Sequence, residues 1–416
     1  MKRLSKQRKG PGAIRILGCV NSQKTHMMYG LSDGCRYKVI ICSSESKAKQ
    51  IYEEYRFLDR SVYLYPAKDL LFYQADLRSK ELVRERMEVL EAVIEGRPLT
   101  VVASFDALMD SLLPKEIIAG RTIRVSYDGT LELSAMEKAL ADLGYERVVQ
   151  IEGPGQFAVR GGILDVFPLT EELPVRIELW GDEVDSIRTF DVESQRSIEN
   201  LTEASICPSI EFPGEGEQGV SFLDYFPADE TLLFLDEPVR LMEKGQGVEE
   251  EFIEAQKKRV ESGYELKDGE VRLYGTEEIL NRINTYSSIG FYALDMRCKG
   301  LLIRESYHIQ AKSVNPYNSS FELLTQDLKR LKRNGYRVVL LSGSRTRAKR
   351  LAEDLRDYNL SSYYSDDLDR LAEPGEIMTA YGHVAEGYEY PMLKFMVISE
   401  TDIFGRQKKN ETQKTI

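Results

Sequence analysis

The sequence predicts an α/β protein in which a β-rich unit interrupts one α/β domain and a smaller α/β domain follows. Three observations predict it. Up to about Pro114, buried-type strands alternate with amphipathic helices, the rhythm that builds parallel sheets. From about Gly120 to Phe212 the apolar runs become short and alternating, punctuated by Gly, Asp and Pro, which is the pattern of a β-rich unit. The strand–helix rhythm resumes at about Val220, and a last unit opens after Pro316.

The elements follow in order. Arg15–Val20 is a short apolar run, and Tyr37–Ser43 (YKVIICS) is a buried-type strand. A helix then covers Glu45–Tyr55, with Ser44 placed to cap its free N–H groups. In Lys80–Gly96, Val83, Met87, Leu90 and Ile94 recur on one helical stripe that Gly96 can close. Leu99–Ser104 (LTVVAS) is another buried strand, Ser134–Leu143 a helix within the β-rich unit, Leu232–Asp236 a buried strand, and Gly247–Ser262 a charged helix. In the last unit Phe321, Leu324, Leu328 and Leu331 form one helix face closed by Gly335. Tyr336–Ser342 is then a strand, Arg345–Leu355 a helix and Lys394–Ser399 a late strand. The expected organisation is 1–118 and 214–312 as two halves of one α/β domain, 119–213 as an inserted α+β domain, 313–405 as a third domain, and 406–416 as a polar linker.

Composition narrows the function classes. A chain of 416 residues exceeds one core, and 42% hydrophobic with 30% charged residues excludes a mostly disordered protein. No apolar run reaches the roughly 18 residues of a membrane helix, and the basic stretch Met1–Gly12 is not followed by a signal-peptide core. It reads as a solvated tail on a cytoplasmic protein. Five cysteines without a CxxC pair and three histidines give no zinc site. The odd cysteine count suits a reducing compartment. A net charge of -12 tilts the chain away from duplex phosphates and toward protein partners.

Two motifs look like parts of a nucleotide site. Gly18–Thr25 reads GCVNSQKT, whereas a phosphate loop needs G-x-x-x-x-G-K-[ST]. Gly18, Lys24 and Thr25 are in place, but Gln23 stands where the second glycine should be. A Cβ there disfavours the positive-φ turn that brings backbone N–H groups onto phosphates. Leu232–Glu237 (LLFLDE) resembles a strand ending in the Asp that holds magnesium. Gly18, Gln23, Lys24, Thr25, Asp236 and Glu237 therefore read as a degenerate, inactive nucleotide loop.

The stretch Gly153–Arg196 is the most informative. In Val175–Trp180, Ile177 and Leu179 face one side while Arg176, Glu178 and Trp180 face the other. Trp180 is the only tryptophan, and Trp and Arg dominate interface hot spots. Arg160 precedes the neighbouring strand and can reach the same surface. Gly161 and Gly162 suit a turn or bulge. Asp182 and Glu183 are adjacent on a strand and point apart, so they do not form a catalytic pair. His26, His308 and His383 lack partners spaced as a site and read as structural.

These motifs carry a resemblance. FAVRGGILDVFP (from Phe157), PVRIELWGDEVDSIRTFD (from Pro174) and SQR (Ser194–Arg196) resemble the second domain of the Mfd family of transcription-repair coupling factors. They are similar in weaker form to UvrB, the excision-repair helicase. YPAKDLLFY (Tyr65–Tyr73), the helix with Arg84 and Arg86, and VVASFDAL (Val101–Leu108) resemble the first half of the shared module. Glu386–Gly405 is similar to the end of the family's third domain. The resemblance implies a RecA-like domain interrupted by the β-rich one. It implies that the second domain docks on UvrA, the damage-recognition ATPase, with Arg160, Arg176 and Trp180 at contact positions. Family members often carry Phe where Trp180 stands. It further implies a fragment that recruits UvrA to lesion-stalled RNA polymerase without ATPase activity of its own and without cofactors. ATP and magnesium, RNA polymerase and DNA would be engaged by parts that follow residue 416, as would a C-terminal domain that masks the UvrA surface. Gln23, and a segment between Tyr73 and Arg84 too short for UvrB's DNA-clamping hairpin, set the chain apart from UvrB. The alternative is an active helicase module using Lys24, Thr25 and Asp236. A weaker one is a DNA-binding module using the basic tail and the Lys329–Arg333 cluster.

Overall fold

The computed structural model describes residues 10–68, 80–213, 217–262, 273–367 and 370–405. The basic tail to residue 9, the motif residues 69–73, the segment on to 79 and the linker 406–416 lie outside the described residues. The fold is mixed α/β, as expected. By its contacts the chain divides into two units: one of Met1–Val62, Leu232–Leu241 and Asn284–Ile416, the other of Tyr63–Thr231 and Met242–Ile283. This division runs across the segments read from the sequence.

The first unit is built on strands in the order Ile303–His308, Gly12–Leu17, Ser287–Tyr292, Thr231–Asp236 and Tyr37–Cys42, of which the first four pair in parallel. Gly12–Leu17 pairs in parallel with both neighbours. Val39, Ile40, Ile41, Leu233 and Phe234 are fully buried, because a parallel sheet covered on both faces has no polar side. The first strand begins and ends earlier than the apolar run suggested. Gly18 stops it at φ +77, where an added Cβ would lie 2.3 Å from the Ile309 carbonyl oxygen. Ser44 caps the helix Glu45–Tyr55 by accepting the Lys47 N–H.

The same unit holds a six-stranded sheet in the order Lys312–Ser313, Tyr388–Tyr390, Phe395–Ile398, Arg337–Ser342, Ile377–Tyr381 and Tyr363–Ser365. Its centre is parallel. The helix Phe321–Arg333 lays Leu324, Leu328 and Leu331 on Val338, Leu340 and Ile398. Phe321, expected on the same stripe, is only partly buried.

In the second unit a six-stranded sheet runs Ser197–Leu201, Glu183–Phe190, Val175–Trp180, Ile163–Phe167, Gln156–Arg160 and Glu146–Arg147. All neighbours are antiparallel except the last pair. Helix Leu133–Asp142 places Met136 and Leu140 against Val166, Ile177 and Ile187 on one face. The other face carries a smaller cluster of Ile151, Ala158, Phe167 and Phe190. The charged helix starts at Pro238 rather than near Gly247 and runs to Glu261. Gly245 within it is there for space: a Cβ would meet Phe105 at 2.5 Å and Thr276 at 2.6 Å. Among the described residues no helix is long and apolar enough to cross a membrane.

Helix Lys80–Ile94, ended by Gly96 at φ +71, buries Arg86 completely. The Arg86 Nε donates to both Glu211 oxygens at 2.7 and 2.9 Å, and Nη1 donates to the Pro66 carbonyl at 2.9 Å. Nη2 lies 2.9 Å from Asp110, in ion-pair range but off the hydrogen-bond angle. The guanidinium stands 4.3 Å over the Tyr65 ring. Burial opposes its charge, yet Glu211, Tyr65 and Asp110 together hold its pKa above the ordinary arginine value. Burial likewise pushes Asp110 up, with Arg86 pulling the other way. One cation thus ties helix Lys80–Ile94 to the exit of the β-rich segment at Glu211. Arg86→Met should cost about 3–5 kcal/mol, because it strands two buried acids. Urea unfolding followed by circular dichroism measures it, and a loss below about 1 kcal/mol would reject this role.

Candidate functional site

The degenerate loop is mostly helix. The helix Asn21–Leu31 begins three positions before Lys24, so only Cys19 and Val20 remain between Gly18 and its first residue. Gln23, Lys24 and Thr25 are all buried. A phosphate cradle needs backbone N–H groups left open at the helix start. Here the Lys24 N–H donates to the Val20 carbonyl at 3.2 Å, and the Val20 N–H donates to Gln23 Oε1 at 3.2 Å. Gln23 Nε2 donates to the Tyr390 hydroxyl at 3.1 Å. The residue in the glycine's place thus ties the residue before the helix to its first turn and to Tyr390.

Lys24 meets Asp236 and Glu237. Its Nζ is 2.7 Å from Asp236 Oδ1 and 2.6 Å from Glu237 Oε1. Burial alone would lower the lysine pKa, but the two carboxylates outweigh it and hold the group above its ordinary value. Glu237 sits at φ +56, a left-handed conformation costing on the order of 1 kcal/mol for a residue with a Cβ. Its carboxylate repays that strain by also accepting the Ala293 N–H at 2.9 Å.

Thr25 takes a different partner. Its hydroxyl and that of Ser22 both donate to Glu54 at 2.7 Å, and Glu54 also accepts the Ala385 N–H at 3.0 Å. The structure thus gathers Lys24, Asp236 and Glu237 into one cluster and sends Gln23 and Thr25 to Tyr390 and Glu54. The last two were not singled out in the sequence, and no local spacing marks them. His26, read as structural, has its Nδ1 3.1 Å from the Tyr390 hydroxyl, and burial lowers its pKa. A cavity of about 420 Å³ lined by Cys19, Lys24, Lys47, Asp236, Arg240 and Tyr292 opens beside the cluster. It lies at the carboxyl end of the parallel strands, where α/β sheets take ligands. Among the described residues no group of three or more His, Cys, Asp or Glu is arranged to hold a metal.

The β-rich segment assembles the other three residues. Arg160 ends strand Gln156–Arg160, and Gly161 at φ +61 with Gly162 makes the turn. Gly162 admits no side chain, since a Cβ would lie 2.8 Å from the Leu179 carbonyl oxygen. Trp180 ends its strand before Gly181 at φ +64 and is 83% exposed. The Arg160 side chain is 49% exposed, but that of Arg176 only 13%. Phe190 lies 4.3 Å beneath the Arg176 guanidinium, so this face is partly covered rather than open. Asp165, 2% exposed, receives both arginines: Arg160 Nη2 at 2.8 Å, Arg176 Nε at 2.6 Å and Arg176 Nη2 at 2.8 Å. Glu178 is engaged by Ser186 at 3.0 Å and by Arg188.

Lys24→Met should destabilise the protein by about 3–5 kcal/mol, since Asp236 is left buried beside Glu237 without a cation. The linkage has a defined sign. A lysine raised in the folded state contributes stability that is full below the ordinary value near 10.4 and is lost as pH rises through its folded value. Chemical denaturation at pH 8 and at pH 11 should therefore show the gap between the parent chain and Lys24→Met narrowing at the higher pH. A gap independent of pH would mean that the ion pair is not what Lys24 contributes.

Residues 123–212 match the family described as the UvrB interaction domain, which contains Arg160, Arg176 and Trp180. The chain is 28% identical to the transcription-repair-coupling factor of Bacillus subtilis (strain 168), over 86% of this chain and 35% of that protein. It is 23% identical to the transcription-repair-coupling factor of Staphylococcus haemolyticus (strain JCSC1435), with the same coverage. The chain thus spans about a third of the length of the curated relatives it matches. A solved hypothetical ATP-dependent RNA helicase from Sulfolobus tokodaii aligns over 89% of this chain and 73% of that one at 10% identity. Its TM-score of 0.25 is too low to carry an argument. Residues 123–212 are therefore similar to the UvrB interaction domain and the chain, over most of its length, is similar to transcription-repair-coupling factors, as its motifs led us to expect.

Proposed function

We propose that this chain is the part of a transcription-repair coupling factor that recruits UvrA, and that it acts as a binding module rather than as an ATPase. One observation carries the proposal. Trp180 stands 83% exposed at a hairpin end, inside the matched domain, where the neighbouring hairpin brings up a half-exposed Arg160. An exposed tryptophan next to an arginine is what a docking hot spot needs. In this reading Trp180 fills an apolar pocket on UvrA, and Arg160, seated with Arg176, meets an acid. ATP, magnesium, RNA polymerase, DNA and the masking domain belong to other parts of the full-length protein.

The test is a calorimetric titration of UvrA into the folded chain without DNA. Micromolar or tighter binding is expected, and Trp180→Ala and Arg160→Ala should each weaken it by about tenfold or more. Arg176→Ala is a poor probe, because it strips buried Asp165 of its two-pronged partner. A folded chain that does not bind removes the reading, and binding that both variants leave intact moves the site elsewhere.

The active-helicase alternative draws on the cavity beside Lys24. Against it stand the engagement of Lys24 by two carboxylates and the helical course of Gln23 and Thr25. A fluorescent ATP analogue with magnesium should not bind the chain at micromolar concentration. Saturable binding that unlabelled ATP displaces would favour the helicase module.

A further inference from the structure

Beneath the two arginines lies a buried carboxylate, Asp165, with the SQR loop beside it. Asp165 faces Arg176 across one strand pair and Ala158 across the other. A carboxylate that is 2% exposed is tolerable only when its oxygens are met. Here two arginines share it, so the group keeps an excess of positive charge. Gln195 completes the setting by accepting Arg176 Nη2 at 2.9 Å.

The loop is built to deliver that amide. The Ser194 N–H and hydroxyl donate to Asp191 Oδ1 at 2.8 and 2.6 Å. The Gln195 N–H donates to the Asp191 carbonyl at 2.8 Å, and its Nε2 donates to the Val192 carbonyl at 2.8 Å. Gln195 holds φ +58, a conformation that ordinarily goes to Gly or Asn. A strained glutamine makes sense where its side chain is needed. Arg176 is thereby fixed by Asp165, Gln195 and the Phe190 ring, and is largely buried. Arg160 shares Asp165 Oδ2 through one nitrogen only and makes no other ion pair among the described residues.

We infer that Asp165 and Gln195 are positioning residues: Gln195 locks Arg176, Arg176 locks Asp165, and Asp165 aims Arg160 at an acidic side chain of UvrA. Arg160 is then the arginine that meets the partner, and Arg176 is its mount. Holding a long side chain in its bound direction lowers the ordering cost of association. This inference rests on the UvrA reading, and its test separates the two.

The experiment compares Asp165→Asn, Gln195→Gly and Arg160→Ala, together with the Asp165→Asn/Arg160→Ala double variant, by UvrA calorimetry and thermal unfolding. Asp165→Asn should weaken binding by about tenfold in the parent chain, yet by less than about twofold once Arg160 is gone. Gln195→Gly should keep or raise the melting temperature, because glycine relieves the left-handed strain, while UvrA affinity still falls several-fold. A merely structural role would move stability and affinity in the same direction. Should Asp165→Asn fail to fold, Gln195→Gly decides alone. Equal losses from Asp165→Asn with and without Arg160, or full affinity in Gln195→Gly, overturn the inference while leaving the UvrA reading intact. A folded parent chain that does not bind UvrA overturns both, and is recognised because the failure precedes any substitution.

Discussion

A charge buried in a protein must be met by opposite charge, and the pairing of Lys24 with Asp236 and Glu237 is where this constraint shapes the chain most. Lys24 follows the first strand, whereas Asp236 ends and Glu237 follows a strand that comes after the whole β-rich segment. The ion pair therefore joins the two halves of the interrupted sheet at their carboxyl ends. It also explains why Glu237 accepts a strained backbone, since a glycine there would relax φ but leave Lys24 with one carboxylate fewer.

The same rule operates at Arg86 and Asp165 with a different balance of charge, and the balance separates structure from function. Lys24 and Arg86 are each met by two acids. Neither cluster holds positive charge in reserve. At Asp165 one carboxylate serves two arginines, and one of these is half exposed. That group keeps cationic charge at the surface, close to an uncovered tryptophan. Charge steers a partner only where it is not already neutralised. Of the three clusters, the one within residues 123–212 is thus the one whose charge fits the docking proposed above.

What was legible in the sequence was local. The Ser44 cap, the Gly96 stop and the Leu324, Leu328, Leu331 face depend on residues a few positions apart, and each stands where the spacing puts it. Gln23 was legible as damage to a phosphate loop because the motif fixes a glycine there. Its replacement bond to Tyr390 was not, because the partners lie 367 positions apart and only the fold brings them together. Glu54 was missed for the same reason, as was Asp165, whose apolar neighbours Leu164 and Val166 made it look like one more polar residue on a strand. The first part of the helix from Pro238 was not read from the sequence, and Gly245 within it is required by the nearness of Phe105, a contact only the fold creates.

Simple alternation also could not explain why Trp180 is open while Arg176 on the same strand is covered. The register supplies the reason. Glu178 pairs with Ser186, but Leu179 pairs with Val184, so Asp185 is an extra residue on the opposing strand. This bulge lets both Val184 and Ile187 enter the core despite their odd spacing. A bulge also adds local twist, and here it falls between the covered and the open end of one strand. Before it, Arg176 rests on Phe190 and is held by Gln195. Beyond it, Trp180 is left without cover. The covered arginine and the open tryptophan thus stand on either side of the bulge, where the local twist of the sheet changes.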